Sequence, residues 1–261
     1  MSATPHYVAM YQNITTDTFK DAAVIQAITR MTSLISIVGC SVVAKQCWTL
    51  KQQKKLTLMD KLVLVLCLVD LGLAIAWFMG NWSRKDDFAC NFQGFWVQFL
   101  GLLDILWTDA IAFHIFSLIV LNFTFKKAEK MFKYYLMICV TVSLFVAAGL
   151  WLKDSYSYTS LWCWTTSYNL KFLYFYSFQV ATVVFIGYVH LRVSRVIRRD
   201  FKTLTNKSYK KDLVHINNKV TQILIIFFVT YFFGLLNRSV EGGTGTSPPS
   251  LPPHPQDHLK Q

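Results

Sequence analysis

Proline is almost missing from the part of this chain that is able to build a core. Of the six prolines in 261 residues, all but Pro5 lie between Pro248 and Pro255. Acidic residues are scarce as well, with 14 Asp and Glu against 26 Lys and Arg, for a net charge of +12. The sequence has no His-Glu-x-x-His pair, glycine-rich phosphate loop or nucleophile elbow, and no Cys/His cluster at ligand spacing. Enzyme chemistry, a bound metal and other cofactors are therefore not expected. Residues 1–21 are polar and lack the basic-then-apolar order of a cleavable signal, so the first apolar stretch is expected to direct insertion. No internal repeat and no proline-broken apolar segment points to a transporter or channel, which stays the less favoured alternative.

What is abundant is apolar sequence, 54% of the chain, in stretches of about twenty residues, the length that crosses the ~30 Å hydrocarbon core of a bilayer. Six spans are predicted, at 22–44, 62–78, 92–123, 134–152, 170–193 and 220–236. The third exceeds what a bilayer needs, which implies tilt or protrusion. The loops alternate in charge. Lys45, Lys51, Lys54, Lys55 and Lys61 fill the first, Lys126, Lys127, Lys130 and Lys133 the third, and a run from Arg192 to Lys219 the fifth. The loops between hold only Arg84 and Lys85, offset by Asp86 and Asp87, and then Lys153 and Lys171. The positive-inside rule makes the basic loops cytoplasmic and places residues 1–21 outside. Trp77, Trp82, Trp96, Trp151, Trp162 and Trp164 gather at the expected outer interface. The positive charge is thus a topology signal, and no nucleic-acid partner is expected. Residues 239–261 turn to Gly, Pro, Ser and Thr, a composition that cannot bury a core and reads as a disordered tail.

Cys40, Cys67 and Cys139 fall inside spans and Cys47 at the cytoplasmic edge. Only Cys90 and Cys163 face an oxidising compartment, where they form either a disulfide pinning the second outer loop to the third span or two free thiols. Asn13-Ile-Thr and Asn81-Trp-Ser are sequons on the outer face, with Asn13 the better glycosylation candidate; Asn206-Lys-Ser lies on the cytoplasmic side.

An outer N-terminus, Cys90 at the top of span three, Cys163 in the next outer loop and a basic third inner loop resemble a G-protein-coupled receptor. Leu64-Val-Leu-Cys-Leu-Val-Asp-Leu71, Cys90-Asn-Phe-Gln-Gly94, Trp107-Thr-Asp-Ala-Ile-Ala112 and Trp162-Cys-Trp164 resemble the cyclic-AMP-receptor-like class. That class includes the slime-mould cyclic-AMP receptors and an animal orphan relative. No Asp/Glu-Arg-Tyr triplet closes span three, which ends Leu121-Asn-Phe-Thr-Phe-Lys126, and no proline interrupts a span; both features argue against the rhodopsin-like class. The missing span-six proline also departs from the pattern expected of the cyclic-AMP-receptor-like class. The resemblance implies an all-α, polytopic membrane bundle of seven helices, six of them visible here, in the plasma membrane. The chain is expected to be a truncated product or an imperfect gene record, since no seventh span follows Leu236-Asn-Arg238.

Intramembrane polar residues are the candidate site. Asp70 stands ~13 Å and His114 ~16 Å above the inner face at helical rise. An Asp70–His114 contact that changes on activation is expected, the alternative being a fixed structural bond. Asp104 and Asp109 lie ~140° apart around span three and are not a dyad. Asp104, with Thr108 one turn on, is a candidate floor for an outer ligand pocket, whereas Asp109 is expected to meet a neighbouring helix. Arg30 and Lys171, with Arg84, Lys85 and Lys153, suit a small anionic extracellular ligand; snorkelling to headgroups is the plainer fate of Arg30. Arg192, Arg195, Arg198 and Arg199 form a basic stripe after span five. With Lys126 and Lys127 they are candidates to touch a heterotrimeric G protein, or to hold anionic bilayer lipids at ~1 kcal/mol per charge. The function that follows is a receptor passing an outside signal to a G protein. The alternative is a non-signalling six-span product that associates with a full-length receptor in an oligomer.

Overall fold

The computed structural model describes residues 5–53, 57–80, 87–159 and 162–203. The order is α1 (Pro5–Gln52), α2 (Leu58–Met79), α3 (Asp87–Ile119), α4 (Phe125–Leu152), β1 (Tyr156–Tyr158), β2 (Cys163–Thr165), α5 (Tyr168–Lys171), a π-helical turn (Phe172–Tyr176) and α6 (Ser177–Thr203). Five helical segments are long and apolar enough to cross a membrane: Gln26–Gln52, Leu58–Met79, Phe88–Ile119, Lys126–Leu152 and Tyr168–Arg199. The expected sixth span, 220–236, and the tail, 239–261, lie outside the described residues, as do Asn81, Arg84 and Lys85.

The helices overrun the apolar stretches at most ends. α1 continues past residue 44 to Gln52 and begins at Pro5, inside the segment read as a polar outer terminus. α4 begins at Phe125 rather than 134, because Lys, Glu and Ala in that stretch are good helix formers whether or not lipid surrounds them. α3 is shorter than expected at its inner end. It stops at Ile119, not 123, because Asn122 turns into the left-handed region at φ 52°, where Asn is among the more tolerant side chains. There Leu121 N–H donates to Phe116 O and Phe123 N–H to Ser117 O, closing the helix end. α2 starts in a capping box, with Thr57 Oγ1 accepting from Asp60 N–H and Asp60 Oδ2 accepting from Thr57 N–H at 2.8 Å. It ends at Gly80, whose φ of 55° favours glycine.

α3 is the axis of the bundle. It packs against α2, α4, α6 and both strands, and more than half of its most apolar stretch is buried. Trp107, fully buried, sits at the centre of its inner half, packs edge-on against Phe132 and donates Nε1–H to Leu62 O at 2.8 Å. Below it Lys61 of α2 pairs with Glu129 of α4 at 3.2 Å. α1 packs chiefly on α2, and its outward side chains Met31, Ile35 and Val38 are exposed, as are Phe145 and Leu152 of α4. Surfaces of that kind are suited to lipid rather than water.

Among the described residues the one departure from helix and turn is a short hairpin of β1 and β2, antiparallel, with Tyr156 opposite Thr165 and Tyr158 opposite Cys163. It lies over the outer half of α3.

Candidate functional site: the outer hairpin and the polar side chains of α3

The outer layer is assembled on α3. Cys90, near its start, is joined to Cys163 of β2 in a disulfide, so the pair is bonded rather than two free thiols. Three residues on, Gln93 is almost fully buried and makes three hydrogen bonds at once. Its Nε2 donates to Ala76 O at 3.0 Å and to Gly80 O at 2.9 Å, while its Oε1 accepts from Cys163 N–H at 3.0 Å. Those two carbonyls belong to the C-terminal end of α2, where helical partners run out. One amide therefore ties α2, α3 and the hairpin together.

Gly94, the next residue, has to be glycine for a different reason. A Cβ there would fall 2.8–2.9 Å from Cβ, Cγ and Cδ1 of Tyr156, atoms too near the backbone to swing away. The Tyr156 ring is thereby pressed onto α3, and its hydroxyl donates to Ala147 O of α4 at 2.9 Å. Burial pushes the Tyr156 phenol well above its ordinary pKa. Because the folded state favours the neutral phenol, this contribution to stability is complete below a pH of about 10 and is lost as pH rises beyond it. Thermal unfolding followed from neutral pH upward is expected to show that alkaline decline, and Tyr156→Phe is expected to flatten it.

Gln98 repeats the device one layer deeper. Its Oε1 accepts from Trp164 Nε1–H at 2.8 Å and its Nε2 donates to Tyr174 O at 3.1 Å. Tyr174 lies in the π-helical turn, where the i→i+5 pattern disturbs the regular ladder and lets a carbonyl turn outward. Trp164 packs edge-on against Phe175 and Tyr176, and Lys171 Nζ stands 5.4 Å from its ring.

The other anticipated residues are distributed through the bundle. Arg30 of α1 places its guanidinium against Gly80, beside the C-terminal end of α2, where a cation complements the helix dipole. Asp104 is half-buried, and Thr108, buried, turns its hydroxyl back to Asp104 O at 2.9 Å. Asp109 Oδ2 accepts from Thr182 Oγ1 of α6 at 2.8 Å. His114 is buried with its ring edge-on to Tyr135 of α4, and its Nδ1 has no hydrogen-bond partner among the described residues. Asp70 is half-buried in α2, and no hydrogen bond or ion pair joins it to His114 among the described residues. The Asp70–His114 bond expected from their matching depths is therefore absent among the described residues: equal height does not fix rotation about the helix axis.

At the inner end, Val189, Val193 and Ile197 bury one face of α6 against α3. Arg192, Arg195, Arg198 and Arg199 are exposed on its other sides. Lys126 and Lys127 are also exposed, in the first turn of α4, with Lys127 Nζ 3.7 Å above the Phe123 ring. Asn13 falls within α1.

Residues 16–251 match the family model of the slime mold cyclic AMP receptor. The chain belongs to this family. Its relatives include Cyclic AMP receptor 4 of Dictyostelium discoideum, 23% identical over 67% of this chain and 39% of the relative. Cyclic AMP receptor-like protein A of the same organism is 29% identical over 60% of this chain and 41% of its own length. Cyclic AMP receptor 2 is 22% identical over 79% and 56%. The chain thus spans between 39% and 56% of the length of these curated relatives. Membership makes it a multi-pass membrane protein of a receptor family rather than an enzyme. Gln98, Tyr156 and the π-helical turn were not singled out from sequence. A glutamine pair, Gln93 and Gln98, inside an otherwise apolar span was the signal available for the first.

Proposed function

We propose that this chain is a plasma-membrane receptor, its N-terminus outside, that passes an extracellular signal to a heterotrimeric G protein. The observation that carries the reading is the double hydrogen bond of Gln98. Through it the outer hairpin, α3 and the π-helical turn leading into α6 are mechanically one unit. A ligand that shifts the hairpin has to shift the outer end of α6, whose inner end carries the exposed arginines. Lys126 and Lys127 add to that inner surface although the helix dipole disfavours cations in a first turn, so they do not stabilise α4 through it. Lys171, held over the buried Trp164 ring, is a cation suited to an anionic ligand. Relatives named as cyclic AMP receptors make cyclic AMP the first ligand to try.

The test is to neutralise Arg192, Arg195, Arg198 and Arg199 together and to measure nucleotide exchange on co-expressed G proteins at equal surface level. Exchange is expected to fall to that of cells lacking the protein. Exchange that persists at equal surface level assigns the stripe to anionic lipid alone and removes the coupling role.

A further inference from the structure

The interface of α1 with α2 holds a feature that the receptor reading does not use. Near the inner end, Cys47 Sγ–H donates to Asp60 O at 3.8 Å, which fixes the register of the two antiparallel helices. Cys40 comes seven residues before Cys47, and Cys67 seven after Asp60. Seven residues are about two helical turns, so the same face of each helix returns one step deeper in the bilayer. Cys40 and Cys67 therefore stand opposite one another across the α1–α2 interface. Both are free thiols; Cys40 is buried, while Cys67 is half-exposed beside the outward-facing Leu68. Asp70 follows Cys67 by three residues on α2, nearly one helical turn on.

We propose that Cys40 and Cys67 are an intramembrane dithiol that apolar hydroperoxides, such as those of lipid acyl chains, oxidise to a disulfide fastening α1 to α2. The half-exposed Cys67 sulfur attacks the terminal oxygen of the hydroperoxide and breaks its O–O bond. An alcohol departs, and the sulfur is left as a sulfenic acid. The Cys40 sulfur then displaces the hydroxyl, which leaves as water with the Cys40 proton, and the S–S bond closes. Two thiols and one hydroperoxide become one disulfide, one alcohol and one water. The Cys67 thiol proton goes to the departing alkoxide, which makes it the alcohol. The position selects the oxidant: hydrocarbon admits an apolar peroxide and excludes charged glutathione, so the bond is both formed and retained there. Its consequence falls on α1, the helix that leans chiefly on one neighbour.

The experiment uses the full chain, purified with reductant, reconstituted in lipid nanodiscs and treated with cumene hydroperoxide. Trypsin cuts between the two cysteines at Lys45, Lys51 and Lys61. After treatment the peptides carrying Cys40 and Cys67 are expected to run joined, lighter by two hydrogens, and to separate on reduction. Cys40→Ser and Cys67→Ser are each expected to abolish the joined species, and Cys139→Ser, on α4, to leave it unchanged. The proposal is overturned if both thiols of the treated wild-type chain still react with N-ethylmaleimide after unfolding. It is equally overturned if the joined species persists in Cys40→Ser, or if oxidation stops at separate sulfinic acids. No ligand or G protein enters the assay, so its outcome is independent of the signalling role.

Discussion

Trp107→Ala is expected to cost about 3–5 kcal/mol, the range for removing a large buried aromatic side chain. The indole is fully buried between α2, α3 and α4, so its removal leaves a void bounded by three helices that α3 holds at fixed spacing. Lipid outside the bundle offers no compensating hydrophobic gain, because association of helices in a bilayer rests on packing itself. Trp107→Phe separates the two contributions. It keeps much of the volume and loses the bond to Leu62 O, and about 1 kcal/mol of loss is expected from that bond. Thermal unfolding in detergent, with surface level in cells as a second readout, is expected to rank wild type above Phe and Phe well above Ala. Equal stability of Ala and Phe variants would mean that the bundle closes over the void.

Gln93→Leu is expected to be the next most damaging change, and its failure should appear in a different place. The substitution keeps much of the side-chain volume but strands two carbonyls at the end of α2 and the N–H of Cys163. At about 1–3 kcal/mol for each buried group left unpaired, the total is on the order of 3 kcal/mol or more. The Cys90–Cys163 bond survives as a covalent tether, so the hairpin is not lost but loosened about it. Mild reductant applied to the native protein should then open this disulfide faster in the variant than in wild type. Gln93→Glu keeps the acceptor for Cys163 and loses both donors, and the same acceleration is expected. An unchanged reduction rate in both variants would show that the disulfide and the Tyr156 ring suffice to hold the outer layer.

Much of the bundle is legible in the residues because two of its constraints are one-dimensional. Apolar length decides where the chain crosses, and the Lys and Arg bias of the loops predicts which side each loop takes. The outer disulfide is legible for a similar reason, since Cys90 and Cys163 are the pair expected to face outward. What sequence does not carry is rotation about a helix axis. His114 and Asp70 match in depth, yet His114 turns to Tyr135 of α4 and no hydrogen bond or ion pair joins it to Asp70 among the described residues. Helix ends are hidden by another cause: the backbone ladder continues through Lys126–Lys133 and Lys45–Gln52 whatever surrounds it, so solvent polarity does not mark where a helix stops.

With no proline in the spans, the bend device on the fifth crossing is the π-helical turn at Phe172–Tyr176, and it differs in kind from a proline kink. A proline fixes its defect to one position of the chain, because the missing N–H cannot move. A π-helical turn is an inserted residue that every neighbouring N–H is chemically able to accommodate. It shifts the phase of everything on its outer side by one residue, about 100° of azimuth, relative to everything below. Lys171 is thus indexed to the outer hairpin, while Val189, Val193 and Ile197 are indexed to α3. The hydrogen bond from Gln98 to Tyr174 O works as the detent that stops the slip from travelling. Release of that one bond frees a screw-like motion along the crossing, in which the defect migrates and the two halves change phase without any helix unfolding.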